Sequence, residues 1–151
     1  MQDQSGPQAR RSGYRRLLGY RTKVWREAYG EVEMTIGPEH LNSLGVVHGG
    51  VYASLLDAGL GHAVSFCTTP RNARYSTTVS LTTTFVASAS VGTLIAVGRI
   101  DGIHGRLVTA SGEVLDGDGK LLAVGQGSFL YFPGSERPEG VPKRVRQQNP
   151  S

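Results

Sequence analysis

VYASLLDAGLGHAVSF, residues 51–66, carries apolar or small side chains on nearly every face and runs longer than an ordinary strand, so it predicts a buried helix. No other stretch of the sequence predicts a long helix. Gly59 and Gly61 each cost such a helix about 1 kcal/mol relative to Ala, which makes sense where other backbone packs close against it. After a Thr69-Pro70-Arg71-Asn72 loop, segments dense in β-branched residues predict strands near 75–88, 92–101, 105–116 and 120–132. The turn Asp116-Gly117-Asp118-Gly119 joins the last two. Before the helix, Val32, Met34 and Ile36 alternate with Glu31, Glu33 and Thr35, and residues 23–36 predict an extended pair around Tyr29-Gly30. Tyr14, Leu17 and Leu18 fit one short helical turn. Strand, long helix and antiparallel meander in that order predict an α+β domain with one sheet face covered by a single helix.

A chain of 151 residues has room for one core, and its 21 glycines suit tight turns and closely packed backbone better than a helical bundle. The domain is expected over residues 13–133, with residues 1–12 and 134–151 as polar tails that lack core periodicity. The formal charge of +4 belongs to the ends. Residues 1–26 hold seven basic side chains against Asp3, and residues 134–151 hold four against Glu136 and Glu139, which leaves the middle net negative. Basic ends of this kind read as solvated segments rather than as a nucleic-acid surface. No apolar stretch is long enough to cross a bilayer or to form the core of a secretory signal, and the single Cys67 has no internal partner, so a cytoplasmic protein without membrane association is expected. Cys67 itself reads as a small packed hydrophobe.

Chemistry concentrates between residues 42 and 57. Gly49 and Gly50 lie where a loop enters the helix, whose first N–H groups have no partners inside it; such donors can hold an oxyanion. A plain tight turn accounts for the same two glycines. Asp57 sits among Leu55, Leu56, Ala58 and Leu60 with no Lys or Arg on the helix to pair with it. A buried carboxylate there costs several kcal/mol unless it is paired or used. The alternative is that it reaches solvent through a gap. His48 reads as a residue that stabilises its own turn, His62 as a packed or hydrogen-bonded core histidine, and His40 and His104 fall in turns. None of them has the spacing of a metal site, so no metal is expected.

The segments LLGYR and GEVEMTIGPEHLNSLGVVHGGVYASLLDAGLGHA resemble the hotdog-fold thioesterase superfamily, in particular the branch that includes the phenylacetate-pathway thioesterases. The resemblance spans about residues 14–133 and is most specific in Asn42, His48-Gly49-Gly50 and Asp57. It implies an antiparallel sheet wrapped around one long central helix, and an acyl-CoA thioesterase in which Asp57 is nucleophile or general base. By the same resemblance the Gly49 N–H polarises the carbonyl, Asn42 positions water or substrate, and Thr78, with Thr77 as its neighbour, supplies a hydroxyl beside the carboxylate. His48 and Gly50 complete the motif, and Tyr52, Leu56, Phe66 and Phe85 are expected along the acyl tunnel. Arg71, Arg74 and Arg106 are candidate partners of the coenzyme A phosphates. No cofactor is implied, since coenzyme A is part of the substrate. Hydratases, dehydratases and acyl-CoA-binding regulators are the alternatives within this fold.

Helix geometry adds an expectation about assembly. Gly49 and Asp57 are eight residues apart, about 12 Å along one helix, too far to serve one thioester carbon. Two antiparallel helices across a two-fold axis bring the start of one beside the middle of the other. A homodimer with shared active sites follows, and the resemblance adds a dimer of dimers.

Overall fold

In a computed structural model, which describes residues 12–144, a short helix α1 (Gly13–Leu18) leads into β1 (Arg21–Arg26) and β2 (Tyr29–Thr35). A single 3-10 turn (Pro38–His40) and a loop precede the long helix α2 (Gly49–Ser65). Then follow β3 (Asn72–Ala73), β4 (Ser76–Phe85), β5 (Thr93–His104), β6 (Leu107–Asp116), β7 (Leu121–Tyr131) and β8 (Val141–Pro142). Six strands form one antiparallel sheet in the order β1-β2-β5-β6-β7-β4, while β3 and β8 pair separately. One sheet around one long helix is the hotdog architecture that the resemblance implies.

A row of glycines seats the helix. Gly30, Gly98, Gly112 and Gly125 are register partners on β2, β5, β6 and β7, so four neighbouring strands present bare backbone along one line. A Cβ on Gly30 would lie 2.5 Å from the His62 Cβ, and one on Gly125 would lie 2.9 Å from a Leu56 methyl. At Gly98 the obstacles are backbone: Leu60 N at 2.6 Å and the Gly59 carbonyl oxygen closer still. Gly59 faces the Ala96 carbonyl in return, which is the close approach that its place in a helix anticipates. Gly61 meets only the edge of Phe129, 4.0 Å from its would-be Cβ. Because neither Gly59 nor Leu60 backbone can move without lifting α2, Gly98→Ala should cost about 3 kcal/mol and lower the melting temperature by about 10 °C. A thermal melt indistinguishable from wild type would show that the helix has slack here.

The buried side of α2 carries Val51, Tyr52, Leu55, Leu56, Leu60, Ala63 and Val64, which pack on inward residues such as Val32, Met34, Leu94, Val114, Leu122 and Phe129. On β2 the predicted alternation holds: Val32 and Met34 point in, while Glu31 and Glu33 point out to Lys23 and Arg21. The opposite side of α2 is only partly covered and presents Ala53, Ser54, Asp57, Ala58, Gly61 and Ser65, all small or polar.

Two expectations differ from the structure. The β1–β2 turn falls at Glu27-Ala28, where Ala28 adopts φ 56°, instead of at Tyr29-Gly30; Gly30 is needed under the helix, so the strand runs through it. Nor does the ordered chain stop at residue 133. Residues 134–144 return alongside the loop after α2: Thr68 donates to the Pro138 carbonyl at 3.0 Å, Asn72 Nδ2 to Glu139 at 2.8 Å, and β8 pairs with β3. These bonds all end on backbone carbonyls, so they leave no hydrophobic period in the sequence. Residues 1–11 and 145–151 of the expected tails lie outside the described residues.

Candidate active site

The loop before α2 is built on Asn42. Its Oδ1 accepts from the Leu44 N–H at 2.9 Å and the Val46 N–H at 3.3 Å, and its own N–H donates to the Val46 carbonyl at 2.8 Å. Asn42 thus shapes the approach to the helix, and its Nδ2 has no acceptor among the described residues. The loop is fixed to neighbouring segments of the same chain by His48 N–H to the His40 carbonyl and Val47 N–H to the Ala89 carbonyl.

His48 caps the helix. Its Nδ1 accepts the Gly50 N–H at 2.9 Å, so that nitrogen is unprotonated, and its carbonyl accepts the Val51 N–H. Of the two motif glycines, Gly50 therefore has a committed N–H, while the Gly49 N–H has no acceptor among the described residues. It stands at the positive end of a 17-residue helix. The Phe85 ring lies against Gly49, 3.2 Å from where a Cβ would be, and leans on Tyr52 with ring centres 6.2 Å apart.

Two turns further on, Asp57 occupies the partly covered side of α2. Its Oδ1 accepts the Thr78 hydroxyl at 2.7 Å, and no cation forms an ion pair with it among the described residues. The carboxylate is thus neither entombed in the core nor merely solvated. Thr78 reaches it because of a β-bulge: Thr78 pairs with Phe129 and Ser80 with Ser128, which leaves Val79 unpaired. Counting back from inward-facing Leu81 by twos would select Val79 and Thr77. The extra residue moves the inward position to Thr78.

Around this pair the sequence reading missed Tyr14 and Tyr20. The Tyr14 hydroxyl meets the Ser54 hydroxyl at 2.5 Å and so fastens α1 across α2. The Tyr20 phenol is pushed up from its ordinary pKa, first by burial, with Arg15 opposing and the Asp57 charge adding. Short elements of mixed composition left no pattern that tied either tyrosine to the helix.

His62 is structural, as expected. Its Nδ1 lies 2.7 Å from the Ala58 carbonyl and so carries the proton, while Nε2 lies 2.9 Å from the Thr22 hydroxyl. Burial, above all, lowers its pKa, with the Ala58 carbonyl opposing and Arg15 adding. Tyr52 and Leu56 are buried. The Tyr52 hydroxyl accepts from Ala89 N–H at 3.2 Å, and Leu56 packs over Gly125, so within one chain neither borders open space as a tunnel wall would. Arg74 is held by the chain itself. Its guanidinium donates to the Ser135, Phe66 and Glu136 carbonyls and lies 4.3 Å over the Tyr131 ring, which leaves it a structural anchor. Arg106, at the β5–β6 turn, donates to the Tyr131 carbonyl at 3.2 Å, whereas Arg71 is exposed at the start of β3.

Comparison with known proteins places this geometry in context. Residues 44–123 match the sequence profile of the thioesterase superfamily. A candidate esterase of Pseudomonas aeruginosa is 34% identical over 99 residues, which is 65% of this chain and 72% of that protein. The solved structure of a conserved protein from the same species is 30% identical, with a TM-score of 0.74 over 80% of this chain and 94% of the other. The PaaI protein of the E. coli phenylacetic acid degradation operon shares the fold: TM-score 0.69 at 20% identity, over 79% of this chain and 83% of that one.

Proposed function

The chain belongs to the thioesterase superfamily, and from that premise we propose that it hydrolyses acyl-CoA thioesters, with Asp57 as nucleophile or general base and the Gly49 N–H as oxyanion donor. The observation that carries this reading is the Asp57–Thr78 hydrogen bond. It holds one carboxylate oxygen and leaves the other without a partner among the described residues, on a helix whose first N–H is also uncommitted. The free oxygen either adds to the thioester carbon or takes a proton from a water that does so. Negative charge then grows on the carbonyl oxygen, where the Gly49 N–H and the helix dipole stabilise it. Collapse of the tetrahedral species expels the coenzyme A thiolate; it leaves the free acid where water attacked, or an Asp57 acyl anhydride that a water then hydrolyses to release the acid and restore the carboxylate.

Since α2 is continuous from Gly49 to Ser65, the separation of about 12 Å between donor and carboxylate stands, and the reading includes a two-fold dimer. Two features support that assembly. The partly covered side of α2 carries small residues over which a second helix can pack closely, and β4 ends the sheet with its outer edge unpaired among the described residues and with Val79 and Phe85 exposed. Among the described residues no helix is long and apolar enough to cross a membrane, and we place the protein in the cytoplasm.

Release of free thiol from a panel of short-chain, medium-chain and aromatic acyl-CoAs tests the activity. Turnover of at least one thioester is expected. Change in the acyl chain without thiol release would point to a hydratase or dehydratase, and binding without turnover to a regulator; either result would replace this reading.

A further inference from the structure

At the end of α2 remote from Gly49 lies a cleft of about 260 Å³ between the helix terminus, β1 and the β3–β8 return. Trp25, Cys67 and Pro70 supply its apolar surface, Asn72 lies beside them, and Arg74 and Lys143 are its cations; no carboxylate lines it. The indole is held in place. Its Nε1 donates to the His62 carbonyl at 2.8 Å, and its ring meets Phe66 edge-on at 5.8 Å, yet 40% of the residue remains exposed. Lys143 Nζ donates to the Pro70 carbonyl at 3.1 Å and forms no ion pair among the described residues, so two of its three donors are free. Arg74 makes three hydrogen bonds to carbonyls, and its charge adds to the same field.

A fixed aromatic face beside an unpaired ammonium group, in a cleft without acids, fits a flat base that carries phosphate. Ser65, on the cleft wall, is eight residues beyond Asp57 on the same partly covered side of α2, about 12 Å along the axis. A pantetheine arm, with two amide-linked segments between sulfur and diphosphate, is long enough to bridge that rise. Resting on the acyl-CoA reading above, we propose that this cleft seats the nucleotide end of coenzyme A, its adenine against Trp25 and a phosphate on Lys143. Trp25 and Lys143 both lie outside residues 44–123, so this subsite draws on parts of the chain beyond the matched superfamily segment.

Trp25 is the only tryptophan in the chain, so its fluorescence reports on the cleft without any need for turnover. Titration of the full-length protein with adenosine 3′,5′-bisphosphate should quench it saturably, and Lys143→Gln should weaken binding about tenfold while Lys143→Arg restores it. In kinetics Lys143→Gln should raise KM for hexanoyl-CoA about tenfold, leave kcat within about twofold, and leave hexanoyl-pantetheine, which lacks the nucleotide, unchanged. The proposal is overturned by an absence of quenching up to millimolar bisphosphate, or by equal effects of Lys143→Gln on the two thioesters. Quenching without discrimination between the thioesters would mark a site for free nucleotides and would also overturn it. Failure of the thioesterase reading looks different: no thioester is hydrolysed, whatever the fluorescence does.

Discussion

Asp57→Asn should leave the protein folded and lower kcat by about two orders of magnitude or more. The amide is nearly the size of the carboxylate and its oxygen can still accept the Thr78 hydroxyl, so the 2.7 Å contact that orients the side chain survives. Asp57 forms no ion pair among the described residues, so no partner charge is stranded by the change. What disappears is the negative charge, and with it both nucleophilic attack and proton abstraction. Thermal melting separates the two effects, since an unchanged melt with lost turnover assigns the loss to chemistry. Near-normal kcat in a folded variant would remove Asp57 from the mechanism.

The parts of the molecule that the sequence disclosed are those in which side-chain chemistry repeats or clusters. The run of apolar and small residues through 51–66 disclosed α2, and Gly59 disclosed that backbone lies against it. The Asp116-Gly117-Asp118-Gly119 turn was visible because Asp116 must accept from the backbone of Asp118 and Lys120, while Gly119 takes a positive φ. The other half of the helix seat was hidden. Gly30, Gly98, Gly112 and Gly125 are scattered over nearly a hundred residues and become one groove only through strand register. The β3–β8 return was hidden for a related reason: Thr68, Asn72 and Arg74 hold residues 135–139 by bonds to carbonyl groups, to which any sequence contributes equally. In the site, motif spacing singled out Gly49 and Asp57, but separating Thr78 from Thr77 needs the bulge at Val79, a feature of pairing between strands about fifty residues apart.

Co-refolded mixtures of Asp57→Asn and Gly49→Pro should recover about a quarter of wild-type activity, although each variant alone is nearly inactive. Proline at the first position of α2 removes the one N–H assigned to the oxyanion and little else. Its fixed φ suits a helix start, and the preceding His48, at φ −64° and ψ 138°, already has the extended conformation that proline requires of its neighbour. The nearest obstacle to its Cβ is the far edge of the Phe85 ring, which can yield. Loss of one oxyanion donor lowers kcat by about two to three orders of magnitude, comparable to the loss of the carboxylate. If each site takes Gly49 from one chain and Asp57 from the other, a mixed dimer contains one site with both lesions and one with neither. Random pairing makes about half the dimers mixed, and half of their sites are intact, which gives about one quarter of wild-type turnover. If each site drew both residues from a single chain, every site in every dimer would keep one lesion, and activity would stay near that of the parents. Co-refolded mixtures in which mass spectrometry demonstrates mixed dimers, yet whose activity does not rise above the parents, would exclude the shared site. They would leave the 12 Å between Gly49 and Asp57 to be bridged by some other donor on the Asp57 side of the helix.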